Sequence, residues 1–245
     1  MLKQKKTLFI SDLHLNEDHP ITTQAFIRFL NQCDQSIDAL YILGDLFETW
    51  IGDDDDRPFN RSIIQALKSA TDKGLSIYFL HGNRDFLIGK RFLKETGCKL
   101  IHDEYRISLY GTSLLMMHGD TLCTRDKAYL RWRKISRHPI LNTLLFLIFP
   151  LSIRRKFANK MREKSAHYTK SMNKEIMDVT QDEVERVMKN HAVTFLIHGH
   201  THRKAIHQFM LDQSLVNRIV LAAWHDGGSA FVWNESGQQE WLKIE

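Results

Sequence analysis

Five short apolar runs punctuate the chain, at residues 7–10, 39–43, 75–80, 113–117 and 193–197, each bounded by Gly or Asp. All have strand length and are largely apolar, the pattern of strands covered on both faces. Helix-like stretches at residues 21–33 and 59–73 lie between the early runs. Strand–helix–strand alternation of this kind predicts a layered α/β fold. Residues 205–224 and 229–244 return to strand-like texture with little helix between them, which predicts a second sheet. There is no internal repeat and no low-complexity linker.

The middle of the chain differs. From residue 125 to 189 the strand signals vanish and the texture becomes basic, aromatic and helical. Residues 140–153 are strongly apolar but broken by Pro150, and are too short to span a bilayer, which takes about 20 residues. They read either as a helical hairpin with its own buried core or as a surface that touches lipid, flanked by the arginines of 131–137 and 154–156. Residues 125–178 are expected to form a helical cap inserted into a core made of 1–124 and 179–245. Between residues 125 and 174 lie 14 of the 34 Lys and Arg but two of the 29 Asp and Glu, so a net charge of +12 here faces −7 elsewhere. Such a block seeks polyanions: nucleic acid, phosphorylated substrates or anionic headgroups.

Composition narrows the rest. With 43% hydrophobic and 26% charged residues over 245 positions, disordered and fibrous architectures are excluded. Cys33, Cys98 and Cys123 are too few and too scattered for a disulfide framework or a thiolate zinc site. The basic start is followed by only a strand-length apolar run, so no signal peptide is visible and a cytosolic protein is expected. Thirteen histidines are many, and their positions carry the chemistry.

Each apolar run ends in a polar cluster. Residues 7–10 are followed by Ser11-Asp12-Leu13-His14, 39–43 by Gly44-Asp45, and 75–80 by His81-Gly82-Asn83-Arg84-Asp85. Then 113–117 lead into His118-Gly119-Asp120, and 193–197 into His198-Gly199-His200-Thr201-His202. Carboxyl ends of neighbouring strands converge on one crevice in α/β sheets. One zinc needs three or four ligands. Asp12, His14, Asp45, Asn83, His118, His200 and His202 make seven, enough for two metals sharing a carboxylate. Oxygen and imidazole donors without thiolate suit manganese, iron(II) or zinc, and paired metals clamp the attacking and leaving oxygens in phosphoryl transfer.

The series Asp-x-His, Gly-Asp, Gly-Asn, His-Gly and Gly-His-x-His resembles the calcineurin-like metallophosphoesterase superfamily. That resemblance implies a two-sheet β-sandwich flanked by helices. It also implies one metal on Asp12, His14, Asp45 and His202 and another on Asp45, Asn83, His118 and His200, with Asp45 bridging. The stretches LYILGDLFETWIGDDD, FLHGNRDFLIGKRF, MHGDTLC and IHGHTHR are similar to the branch that cleaves the pyrophosphate of UDP-2,3-diacylglucosamine in lipid A biosynthesis.

Several expectations follow from that branch. Two Mn²⁺ would activate water for attack on phosphorus, releasing UMP and 2,3-diacylglucosamine 1-phosphate at the cytoplasmic face of the inner membrane. Arg84 would stabilise transition-state charge through its planar fork, unless it forms a salt bridge with Asp85. Asn83, Arg84, Asp126, Ser165, Thr169 and His200 would contact substrate. Where the branch carries a lysine seven residues after Ser165 this chain has Met172, with Lys170 or Lys174 as substitutes. The apolar, basic cap suits an acylated diphosphate and an anionic membrane surface, and no nucleic-acid partner is expected. Rival functions are a broader phosphodiesterase or nucleotide hydrolase, a nuclease, and a binding module without catalysis; the seven retained ligands speak against the last. Other polar residues take plainer readings. Asp53 to Asp56 read as a solvated turn, His81 and His198 as hydrogen-bonding support for ligands, Trp224-His225 as packing behind the metals, and Cys123 as a small hydrophobe.

Overall fold

In the computed structural model, which describes residues 4–171, 176–225 and 227–244 (side chains of 166, 167 and 169–171 excepted), eleven strands form two sheets. Strands β1 (Lys6–Ile10), β2 (Ile37–Ile42), β3 (Ile77–Leu80) and β4 (Lys99–Ile101) are parallel neighbours. The antiparallel pair β10 (Gly228–Asn234) and β11 (Gln239–Ile244) extends this sheet at its β1 edge. The second sheet runs β5 (Tyr105–Leu109), β6 (Thr112–Met116), β7 (Phe195–His198), β9 (Ser214–Val220), β8 (Ala205–Leu211), with β6, β7 and β9 parallel.

The period of two along each strand explains why the apolar runs do not alternate. Leu8 and Ile10 of β1 pack outward, with Phe26 and Phe29 of α1 (Pro20–Gln32) and Ile63 and Leu67 of α2 (Pro58–Asp72). Phe9, between them in sequence, points into the sandwich with Tyr41, Leu114, Met116, Ile197 and Phe231. On the second sheet Leu115 and Met117 turn outward onto Val184, Val187 and Met188 of α7 (Gln181–His191). Both faces of the central parallel strands are therefore dry. A proline in the first turn opens α1 and α2, and Gly97, with φ 75°, closes the short α3 (Lys90–Thr96).

Three expectations need correction. The strand-like residues after 204 do not make one sheet: β8 and β9 belong to the second, whereas β10 and β11 cross back to pair with β1. Local texture cannot report that crossing, because pairing is decided by partners distant in sequence. The segment 140–153 is not a buried hairpin. Helices α4 (Lys127–Ser136) and α5 (Pro139–Ile148) contain no buried residue, and Leu147, Ile140 and Ile148 of α5 are 77%, 63% and 61% exposed. The apolar face stays outside because nothing among the described residues covers it. The long α6 (Leu151–Ser171) is tied down instead by charge: Arg154, itself buried, donates to the Ile51 carbonyl at 2.6 Å and pairs with Asp54, while Arg155 meets buried Asp55 at 3.0 Å. Asp54, Asp55 and Asp56 are thus ion-pair partners rather than a solvated turn. Asp53 caps α3, accepting from Gly89 N at 2.9 Å and Phe92 N at 3.0 Å.

Candidate metal centre

The loops after β1, β2, β3, β6 and β7 meet at the carboxyl ends of the parallel strands of both sheets. Backbone bonds lash them together: Asp12 N donates to Gly44 O (3.1 Å), His14 N to Asp45 O (3.0 Å) and Gly199 N to His118 O (2.9 Å). Two glycines are needed for the approach. A Cβ on Gly82 would stand 2.1 Å from Asp45 Oδ1, and one on Gly199 would stand 2.3 Å from Asp12 Oδ2. Asp12, His14, Asp45, His200 and His202 all sit at positive φ, between 50° and 67°. That conformation costs a non-glycine residue about 1–2 kcal/mol, so five of the seven expected ligands are held in strained turns, as functional side chains often are.

All seven are brought together. Asp45 Oδ2 lies 3.8 Å from His14 Nε2 and 3.8 Å from His118 Nε2, between the two halves of the cluster. Asn83 Oδ1 is 2.9 Å from His118 Nε2 and 3.0 Å from His200 Nδ1. His202 Nε2 is 3.3 Å from His14 Nε2 and 3.5 Å from Asp12 Oδ1. Asp12 Oδ2 accepts from Ser11 Oγ (2.6 Å) and His200 N (2.9 Å), while its Oδ1 is buried without a hydrogen-bond partner. The donor groupings cross the expected division, since Asp12 stands with Asp45 and His118, and His14 and His202 stand with His225.

These residues suit a divalent metal. Burial alone would lower the His118 pKa, yet the carboxylates of Asp45, Asp12 and Asp120 raise it to about 9. His14 is likewise buried and likewise raised, by Glu48, Asp45 and Asp12. The pocket therefore favours positive charge, and Asp12 Oδ1 is a buried acceptor that lacks a donor. Burial, with His118 beside it, lowers His200 to about 4, leaving a neutral imidazole of the kind a metal takes.

Arg84 does not pair with Asp85. The Asp85 carboxylate accepts from Gly82 N and Leu46 N, each at 2.8 Å, joining two ligand loops, and burial raises its pKa to about 7. Arg84 gives its backbone N–H to Asp45 Oδ1 (2.8 Å) and brings its guanidinium within 3.5 Å of Ser165 Oγ on α6. Asp126 is buried and engaged: Oδ1 caps α4 by accepting from Tyr129 N (2.9 Å) and also accepts from Tyr168 Oη (3.0 Å). The side chains of Thr169 and Lys170, and residues Met172 and Lys174, lie outside the described residues. His81 and His198 do not support ligand side chains. The first lies 2.8 Å from Ile88 O, and the second lies between Gly199 O (2.8 Å) and Arg218 (3.1 Å), with its pKa lowered to about 3 by burial. Burial also raises the Cys123 thiol to about 12, as for an inert hydrophobe.

Two partnerships went unread in the sequence, and a third residue was read otherwise. Glu48 Oε2 is 2.8 Å from His14 Nδ1. Asp120, fully buried, accepts from Tyr129 Oη and from Arg133 Nε (2.7 Å) of α4, while Arg133 also reaches Asp103 at 2.6 Å. Arg137, just past α4, donates to Gly82 O at 2.8 Å, clamping that helix to the ligand loops. Arg133 and Arg137 stand four apart on one helical face, a readable signal. His225, read from the sequence as packing behind the metals, instead stands beside the His14 ring, where only the fold carries it.

Residues 5–204 match the calcineurin-like phosphoesterase family. Similar relatives include a "UDP-2,3-diacylglucosamine hydrolase" of Escherichia coli O81 (strain ED1a), 50% identical over 223 residues, which span 91% of this chain and 92% of that protein. Proteins of the same name from Pseudomonas entomophila (strain L48) and Enterobacter sp. (strain 638) are 50% and 52% identical, over 95% and 91% of this chain and 96% and 92% of theirs. Two sheets whose parallel strands end in one strained cluster of carboxylates and imidazoles, matched over most of its length, place the chain in the calcineurin-like phosphoesterase family.

Proposed function

We propose that this protein hydrolyses the pyrophosphate bond of UDP-2,3-diacylglucosamine, releasing UMP and 2,3-diacylglucosamine 1-phosphate, with two Mn²⁺ held by Asp12, His14, Asp45, Asn83, His118, His200 and His202. The observation that carries the dinuclear reading is Asp45 Oδ2, equidistant at 3.8 Å from His14 Nε2 and His118 Nε2, where a bridging carboxylate belongs. When bound, paired divalent metals neutralise the diphosphate and supply a water nucleophile at neutral pH. Arg84, half-buried beside the cluster, offers a planar fork to the phosphate oxygens. Asn83 and His200 border the same space.

Residues 125–178 are the cap that recognises the lipid half. Ser165 sits opposite Arg84, and Asp126 holds α4 and α6 in place through Tyr129 and Tyr168. Thr169 is proposed as a further contact. The exposed apolar α5 and its basic surroundings match acyl chains and an anionic surface at the cytoplasmic face of the inner membrane. No helix among the described residues is long and apolar enough to cross a membrane. Identifying the products of the Mn²⁺-supplemented protein tests the reading: UMP together with the acylated sugar phosphate is expected, and an intact UDP-lipid would count against it.

A further inference from the structure

His225 stands where two proposed ligands already face one another. Its ring centroid is 5.5 Å from that of His14, with the planes nearly parallel at 18°, and 5.2 Å from that of His202. Ligand nitrogens of the three imidazoles all lie within 4.8 Å of one another. The arrangement is built rather than incidental. Trp224, the preceding residue, is 1% exposed and packs edge-on against Phe26 and Phe29 of α1, while its backbone N–H donates to the carbonyl of Asp12 at 3.2 Å. A buried anchor bonded to one ligand residue therefore fixes the next side chain at the mouth of the cluster.

The chemistry of the trio calls for a cation. Glu48 Oε2 lies 2.8 Å from His14 Nδ1, and a neutral His14 with its proton held there would turn the Nε2 lone pair toward His202 Nε2, 3.3 Å away. Three imidazoles converging on one space have few ways to satisfy each other, and a divalent metal accepts all three lone pairs.

We propose that His225 supplies a third imidazole to the first metal position, beside His14 and His202. The inference rests on the dinuclear reading of the site. It makes the two positions chemically unequal: the first draws on three imidazoles, the second on His118 and His200 with the Asn83 amide oxygen. Nitrogen-rich sites favour metals later in the first-row series, so the first position would discriminate more strongly than the second against Mn²⁺ when a later metal competes.

The test uses the full chain stripped of metal and titrated with Mn²⁺, free ion being followed by its paramagnetic resonance signal. Wild-type protein should bind two ions, and His225→Ala should weaken one of the two steps by about tenfold or more while leaving the other in place. His225→Cys loaded with Co²⁺ should show a near-ultraviolet thiolate-to-cobalt absorption band, absent from wild type and from His102→Cys, an exposed position outside the cluster. Two unchanged binding steps in His225→Ala together with a silent His225→Cys would overturn the proposal and leave the dinuclear reading intact. A wild-type isotherm with fewer than two sites would overturn that reading, and this proposal with it. Loss of both steps together with folding in His225→Ala would mark a packing role, unless the cysteine variant folds and shows the band.

Discussion

Glu48 and His14 form a carboxylate–imidazole pair, Oε2 to Nδ1 at 2.8 Å, and the other carboxylate oxygen of Glu48 lies 3.2 Å from Arg162 Nε on α6. One side chain thus orients a ligand and touches the helix that closes over the site. Glu48 is only 17% exposed, so the pair is shielded from much of the screening that weakens surface ion pairs. Glu48→Gln keeps the shape but loses the charge and the preferred imidazole tautomer. Affinity for one Mn²⁺ should fall by about 10–100-fold, the usual range for a residue supporting a ligand. Equilibrium dialysis against buffered Mn²⁺ checks this; an unchanged affinity would reduce Glu48 to a docking contact for Arg162.

Arg84→Ala should retain both metals and lose turnover by about 10²–10³-fold, the range for removing one transition-state donor. Among the described residues the guanidinium hydrogen-bonds only Ser165 Oγ, at 3.5 Å, and makes no ion pair with Asp85, so its removal breaks no buried salt bridge among them. Near-normal turnover at saturating substrate would refute the role.

Metal affinity should rise with pH. In the metal-free protein His118 holds its proton up to a pKa of about 9, because Asp45, Asp12 and Asp120 surround it. An incoming Mn²⁺ displaces that proton, so below about pH 9 each unit of acidification should weaken binding by about tenfold for that site, levelling off above. His200, at about 4, is already neutral through the neutral range and adds no dependence there. Calorimetry in buffers of different ionisation enthalpy reads the protons released. Release of none at pH 7 would contradict the electrostatic account.

Leu147→Gln and Phe149→Ser should weaken turnover of the lipid substrate while leaving metal content and hydrolysis of a small chromogenic phosphodiester unchanged. Leu147 is 77% exposed and Phe149 41%, so each change should alter stability by no more than about 0.5 kcal/mol. A large loss of thermal stability would mean that α5 is covered in the working protein.

Much of this centre was legible without coordinates, for a physical reason. A doubly covered strand must be apolar along its whole length, so the abrupt change to Asp, His, Asn and Gly at residues 11, 44, 81, 118 and 198 marks where each strand leaves the core. Those ends proved to be one place. What stayed hidden depends on contacts between distant segments. Glu48 is one acid among 29 until His14 turns its Nδ1 toward it. Asp120 is read only as the tail of the His118-Gly119-Asp120 cluster until α4 folds back with Arg133. An apolar stretch such as 140–153 reads alike whether it lies in a core or on a surface, and only the absence of a covering layer decides.

The central claim is metal-dependent cleavage of one pyrophosphate. The measurement that tests it most directly is UMP release from UDP-2,3-diacylglucosamine by full-length protein, first stripped by chelation and then reloaded with Mn²⁺, beside a generic phosphodiester. The account predicts no turnover when stripped, recovery as two equivalents of Mn²⁺ are restored, and strong preference for the UDP-lipid. Full turnover by metal-free protein, or cleavage of the generic phosphodiester with the UDP-lipid left untouched, would contradict it.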